Sequence, residues 1–306
     1  MISFIKNRLK RSRVLFSNKY FLKYYYGENL GSYNANTRMR FLLSRLAFAS
    51  QIPFLFPDKF FLMNLHGSKF YIQPFHTPIT MDIALGVYEY RMSRLFFDLV
   101  KEGMTVIDVG AHHGQYSFLS AKLMNDKGKV HAFEPDPKNR AFFTKNVQAN
   151  NYNSIKLHKY ALSDKEGSSD FFAADGLGSF YSNPFSSVFN AQPEKISVQT
   201  QTLDNIIMKE NIQHIDLIKI DVEGAELLVL KGAERSLGNM TTNILMDVDT
   251  RNNDEREEIF ARLSSWGYKI HRLDRMLEPV SNEKQMLLNF QSNKHQNVRS
   301  IYATKL

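Results

Sequence analysis

Apolar residues recur along this chain with two different periods. From residue 60 to 74, "FFLMNLHGSKFYIQP" reads as a strand, a tight turn at His66-Gly67 and a second strand. Between 82 and 101 the spacing becomes helical, with Leu85, Tyr88, Met92, Leu95, Phe96 and Leu99 on one side. Beyond residue 104 the two patterns take turns. Strands are predicted over 105–110, 129–135, 154–162, 215–222 and 243–249. Between and after them come helices over 115–124, 137–150, 204–210, 225–237 and 254–266, the second with proline in its first turn. Two more strands, 268–274 and 286–292, close the series. Strands alternating with helices need crossover connections, and right-handed crossovers build a mostly parallel, doubly wound α/β sheet with helices on both faces. Such sheets bind ligands at the carboxyl ends of their strands, where the strand order reverses.

One segment breaks the rhythm. "SSDFFAADGLGSFYSNPFSSVFNAQPEKISVQ" (168–200) reads as a long connection between the third and fourth strands, rich in aromatic, Ser and Asn residues. That mixture suits stacking on a sugar face, and it serves equally as an irregular cover over the sheet.

Composition narrows the picture. The chain has 306 residues, 43% hydrophobic and 23% charged, enough for a full core with one large domain and an appendage. It has no cysteine, which excludes disulfides, thiolate metal sites and cysteine nucleophiles and fits a reducing cytoplasm. The net charge of +8 is unevenly spread: residues 1–50 carry ten Lys/Arg against Glu28 alone, so the remainder is close to neutral. Three readings of that basic end compete. Residues 1–25 can form an amphipathic helix at an anionic membrane surface, on the inner membrane face, where each cation adds about 1 kcal/mol. They can equally form a solvated helix packed on the main domain. A nucleic-acid arm is the third, and no base-reading motif follows it, so no nucleic-acid partner is expected. Arg45, Gln51 and Pro53 interrupt the most apolar window, "FLLSRLAFASQIPFLF", so neither a signal peptide nor a membrane-spanning helix is predicted. By texture the chain divides into a basic helical extension (1–55), a hairpin and helix (56–100) and the α/β domain (101–306).

The candidate chemistry begins in "VIDVGAHHGQYSF" (106–118). Gly110 and Gly114 let the backbone turn sharply at a strand end and approach a ligand. The following helix points its amide end at the same space, which suits a carboxylate. Asp108 can accept from a ligand ammonium, and Glu134, ending the next strand, can accept both hydroxyls of a ribose. The NAD fingerprint G-x-G-x-x-G is not met by "GAHHG", and the G-K-[ST] of a phosphate loop is missing. S-adenosylmethionine fits both halves: the ribose at Glu134, the amino-acid end at the glycine turn.

The blocks "GVYE" (86–89), "VIDVGAHHGQYS" (106–117), "VHAFEPDP" (130–137), "ALSDKEG" (161–167), "TLDNII" (202–207) and "LIKIDVEGAELLVLKGAERSL" (217–237) resemble the FkbM family of S-adenosylmethionine-dependent methyltransferases, over about residues 60–250. The resemblance implies a seven-stranded class I methyltransferase sheet and O-methylation, often of a sugar hydroxyl on a glycan or glycolipid precursor. It implies cofactor contacts at Glu89, Asp108, Gly110, Ala111, His112, Gly114, Tyr116 and Ser117. Glu134 and Pro135 follow at the ribose, Ala161, Leu162 and Asp164 at the adenine, and Asp221 beside the methyl donor. His112 departs from the family pattern, which has Asn there, although imidazole still offers a donor and an acceptor.

A sugar hydroxyl is a poor nucleophile, so a base or a metal should help remove its proton. The candidates are Asp221, Glu223 and Glu226 after the fourth strand, Asp247 and Asp249 after the fifth, and His113 after the first. Each has a plainer role: Asp221 as a helix cap, Glu223 and Glu226 as acids favouring a helix start, His113 as a turn hydrogen bond. Asp247 and Asp249 face one way and can form half of a metal site with Asp221, or stand as two solvated carboxylates. No metal is assigned.

Overall fold

The computed structural model describes residues 61–73, 78–84, 88–174, 177–180, 193–248, 253–273, 287–289 and 300–305. The basic extension at 1–55, Leu85 and Asp249 lie outside the described residues. The chain separates into two units, one formed by residues 1–90, 185–192 and 275–286, the other by the rest.

In the first unit, β1 (Phe61–Leu65) and β2 (Ser68–Ile72) pair as the expected antiparallel hairpin. His66 and Gly67 both have positive φ, and the Asn64 side chain accepts from the Gly67 N–H at 2.8 Å. The helix predicted over 82–101 is two helices, α1 (Pro78–Ala84) and α2 (Tyr90–Leu99). Glu89, with φ 44°, precedes the second.

The second unit holds the doubly wound sheet. Its parallel strands are β3 (Thr105–Val109), β4 (Lys129–Phe133), β5 (Ile155–His158), β10 (Leu217–Ile220) and β11 (Asn243–Asp247). Three further strands extend it through antiparallel pairing: β12 (Lys269–Leu273), which runs in the same direction as β11, and β13 (Leu287–Asn289) and β14 (Ser300–Thr304), which run against it. The order is β13-β12-β14-β11-β10-β3-β4-β5, the seven expected strands, the last of them shortened to the three-residue edge β13, with β14 added. The strand order reverses between β3 and β10, so the ligand crevice lies at the carboxyl ends of those two strands.

The central strands are apolar on both faces because helices cover both. On one face, Ile107, Val109, Ile218, Ile220, Ile244 and Met246 pack with α5 (Leu203–Lys209) and α6 (Glu226–Lys231). On the other, Val106, Val130, Leu217 and Leu245 pack with α2 and with Tyr116 and Leu119 of α3 (Gln115–Leu123). Helix α4 (Pro137–Asn150) starts where Asp136 accepts from the Lys138 N–H at 2.7 Å, with Pro137 in the first turn. Helices α7 (Glu234–Asn239) and α8 (Asn253–Ser265) complete the layers.

Four expectations are corrected. The strand predicted over 154–162 ends at His158, and Ala161-Leu162 form β6 of a separate sheet. The helix predicted over 225–237 is α6 and α7, parted at Gly232, where a Cβ would lie 2.0 Å from the Ser163 carbonyl oxygen. The described residues of segment 168–200 are largely strand: β7 (Gly167–Ala174), β8 (Leu177–Ser179) and β9 (Glu194–Gln201) join β6 in the order β6-β9-β7-β8. Strand β14 was not foreseen, and it slots antiparallel between β11 and β12. Among the described residues, no helix is long and apolar enough to cross a membrane.

Candidate active site

The glycine turn is clamped between two strands. Gly110 and Ala111 both donate their N–H to the Phe133 carbonyl at the end of β4, at 3.1 and 3.0 Å. On the other side, a Cβ at Gly110 would fall 1.9 Å from the Asp221 carbonyl oxygen, and the residue has φ 78°. Only glycine allows that approach. His112 is itself left-handed (φ 52°), and its N–H donates to Glu134 Oε2 at 2.7 Å. The other Glu134 oxygen accepts from the Asp136 N–H at 2.9 Å and from Asn139 Nδ2 at 3.4 Å. Burial raises the Glu134 carboxyl to about 7, against those same hydrogen bonds. Three of the four lone-pair sites of the carboxylate are thus taken, and the one left, on Oε2, can accept a ribose hydroxyl alongside the backbone bonds.

The two histidines are packing. Their rings stack at 3.9 Å with an interplanar angle of 17°, and His113 meets Phe142 of α4 edge-on at 5.0 Å. Asn146 of α4 donates to the His113 carbonyl at 3.3 Å. His113 is buried on the β4–α4 side of the turn, whereas the acidic candidates stand at β10 and β11. The fold does not bring His113 together with them.

Beneath the turn lies a buried polar cluster. Asp108, at 1% exposure, accepts from Ser117 Oγ through Oδ2 at 2.6 Å. Its Oδ1 is buried with no hydrogen-bond partner among the described residues. Burial pushes the Asp108 carboxyl above the usual aspartate range, opposed by the Lys219 ammonium and the Ser117 hydroxyl. Lys219 is the register partner of Asp108 across β10 and β3. Its buried Nζ pairs with Asp221 Oδ2 at 3.0 Å and sits 5.0 Å from the centre of the Tyr116 ring. Tyr116 in turn shares a 3.2 Å hydrogen bond with Ser93. Sequence reasoning passed over Lys219, although a lone lysine inside the apolar run "LIKI" was its signal.

At the β10–β11 edge, Asp221 donates its N–H to the Val109 carbonyl at 3.1 Å. It follows the registered pair Ile220↔Met246, as Asp247 does on the adjacent strand. Asp247 is buried, and Ser300 donates to its Oδ1 at 2.8 Å. Glu223 is left-handed (φ 53°), and its carbonyl accepts from Ser179 of β8 at 2.9 Å, tying the small sheet to the crevice. Glu226 is 2% exposed, with Oε1 accepting from the Gly224 N–H at 2.9 Å. It shapes the turn before α6 and does not project from it. Among the described residues, no three His, Asp or Glu side chains gather as a metal site.

On the adenine side, Ala161 and Leu162 are buried in β6, and the Leu162 side chain belongs to the core, so only its backbone can face a ligand. Asp164 is exposed and accepts from Ser163 Oγ at 3.1 Å. Pro135 offers its carbonyl to Arg140. Glu89 lies in the first unit. The orphan Asp108 oxygen, the helix start at Gly114 without a side-chain cap, and the buried Glu134 together ask for a cation, an anion and a hydroxyl. S-adenosylmethionine is the cofactor that this donor set fits.

Comparison with known families decides the kinship. The Methyltransferase FkbM domain matches residues 108–270. The chain belongs to that family. It is 29% identical to 2-O-methyltransferase NoeI of Sinorhizobium fredii over 152 residues, 45% of this chain and 61% of NoeI. It is 28% identical to hexuronic acid methyltransferase AglP of Haloferax volcanii over 153 residues, 49% of this chain and 58% of AglP. The chain thus spans about three fifths of these curated relatives. Among solved structures it is similar to the methyltransferase FkbM of Methylobacillus flagellatus, at 18% identity and TM-score 0.44, covering 75% of this chain and 54% of that one.

Proposed function

We propose that this FkbM methyltransferase transfers a methyl group from S-adenosylmethionine to a hydroxyl oxygen of a sugar, as part of a glycan or glycolipid precursor. The observation that carries the cofactor half is the buried Asp108 oxygen with no hydrogen-bond partner, set under a clamped glycine turn. The sugar half is supported by the likeness to AglP, a hexuronic acid methyltransferase, and the choice of a hydroxyl oxygen by the likeness to NoeI, a 2-O-methyltransferase.

Asp108 would receive the cofactor's ammonium, the amide end of α3 its carboxylate, and Glu134 its ribose. The cofactor supplies an electrophilic methyl on a sulfonium. In the transfer, the acceptor oxygen's lone pair forms the new C–O bond, and the C–S pair stays on sulfur. The oxygen's proton then passes to a carboxylate of the chain or to water. Asp221, Asp247 and Glu223 are the groups at the acceptor edge of β10 and β11, and Asp221, fixed by Lys219, is the best ordered for that role. Carboxylates are weak bases, so alignment of oxygen and methyl carries most of the acceleration.

The test pairs calorimetry with radiolabel transfer. S-adenosylmethionine should bind in the micromolar range, NAD and UDP-glucose should not, and labelled methyl should enter a saccharide fraction. Label found only in lipid or small-molecule fractions overturns the sugar assignment; failure to bind the cofactor overturns the whole reading.

A further inference from the structure

The face of the sheet beneath the crevice carries more negative than positive side chains. Val106, Leu217 and Leu245 share one apolar cluster, so with a period of two Asp108, Lys219 and Asp247 project to that same side. Asp221 joins them through its 3.0 Å ion pair with Lys219. Among these four buried or nearly buried groups, three are carboxylates and one is an ammonium. A lone ammonium in a strand otherwise made of Leu217, Ile218 and Ile220 is costly to bury unless paired. Its pairing with Asp221, in register with Asp108 and over the Tyr116 ring, is therefore a built arrangement.

We infer that Lys219 is a positioning residue that sets how much negative charge the β3–β10 crevice presents to the cofactor's sulfonium, by holding and offsetting the Asp221 carboxylate. The inference rests on S-adenosylmethionine occupying the glycine turn. Its chemical logic follows from where charge goes during transfer. The sulfonium loses its positive charge as the methyl leaves, so carboxylates facing it stabilise the ground state more than the transition state. An ammonium locked to one of them reduces that penalty, and the same contact fixes the carboxylate's orientation for the acceptor. Asp108, deeper and uncompensated at Oδ1, stays committed to the ammonium end of the ligand.

S-adenosylmethionine and S-adenosylhomocysteine differ by the methyl group and by one positive charge at sulfur, so the ratio of their affinities reads the local field. Calorimetric titration of both ligands at pH 8 on the full chain measures it. Lys219→Met should shift the ratio at least about tenfold toward S-adenosylmethionine, the size expected of one charge about 12 Å away at an effective dielectric of about 20. Asp221→Asn should shift it the other way. A purely structural lysine would weaken both ligands in parallel, and a ratio within about twofold of wild type in both variants overturns the inference. If Lys219→Met does not fold, Asp221→Asn is compared with the Lys219→Met/Asp221→Asn double variant. Loss of the lysine must then raise the ratio, and equality overturns the inference. Wild-type protein that binds neither ligand overturns the cofactor reading instead, so the two failures are distinguishable.

Discussion

The two halves of the crevice are held in different ways. At β3–β4 the backbone is the fastener: Phe133 takes two amide bonds from the turn, and Glu134 takes two more from His112 and Asp136. At β10–β11 side chains do the holding: Lys219 on Asp221, Ser300 on Asp247, and Ser179 reaching from the small sheet to the Glu223 carbonyl. Backbone bonds hardly depend on which side chains surround them, whereas each side-chain tie can be exchanged by a single substitution. On the proposed reading the first half holds the cofactor and the second faces the acceptor.

The hardest blow to that contrast is Gly110→Ala. The added carbon would meet the Asp221 carbonyl at 1.9 Å in a left-handed residue, separating the two halves at their joint. Thermal unfolding should show a loss of roughly 3 kcal/mol or more, with cofactor binding abolished.

Asp108→Asn should split stability from binding. The amide keeps the contour and can still accept from Ser117, but no longer has to be desolvated as a charge. Because burial raises the Asp108 pKa, its contribution to stability is full below the unfolded value and lost as pH rises. At neutral pH the variant should therefore melt no lower than wild type. Its affinity for S-adenosylmethionine should fall at least about tenfold by calorimetry, as a charged partner of the ammonium is removed.

Glu134 gives a pH signature confined to the cofactor half. With the carboxyl at about 7 and a ribose preferring the ionised form, affinity should rise about tenfold from about pH 6 to 8 and become flat in Glu134→Gln. The stability sign is opposite: a raised acid favours the fold most below its unfolded pKa and loses that contribution as pH passes 7.

Ser179→Ala is the smallest effect. One hydrogen bond to the Glu223 carbonyl is lost, about 1 kcal/mol of local stability. Cofactor affinity should hold while acceptor KM rises; a change in cofactor affinity would mean that the halves are coupled.

Much of the cofactor half was legible because its signals are local. "VIDVGAHHG" carries the strand, the turn and the acid within nine residues, and "FEPDP" places Glu134, the Asp136 cap and Pro137 together. The small sheet was not read, because Gly, Ser and Asn around 175–190 suggest loop. Yet Ile196, Val198 and Thr200 alternate as a strand should, and β9 is there. Its pairing with β7 and β6 depends on contacts far apart in sequence, to which periodicity is blind. The break at Gly232 was hidden for the same reason: what stops the helix is close approach to Ser163, far away in sequence. The function of the histidine pair was equally out of reach, since Phe142 and Asn146, which it packs against, lie on the next helix.

Strand β14 has a consequence for how the molecule is made. It sits between β11 and β12 although it is synthesised after both, so the sheet cannot close in the order in which it leaves the ribosome. Until residues 300–304 emerge, the inner edges of β11 and β12 have no partner between them, and exposed edges invite pairing with another chain. The last insertion also delivers Ser300 to Asp247, so the acidic rim of the crevice is finished by the same event that seals the sheet. Sealing of the sheet and anchoring of the Asp247 carboxylate are one step, and a nascent chain stalled before it would present two open strand edges.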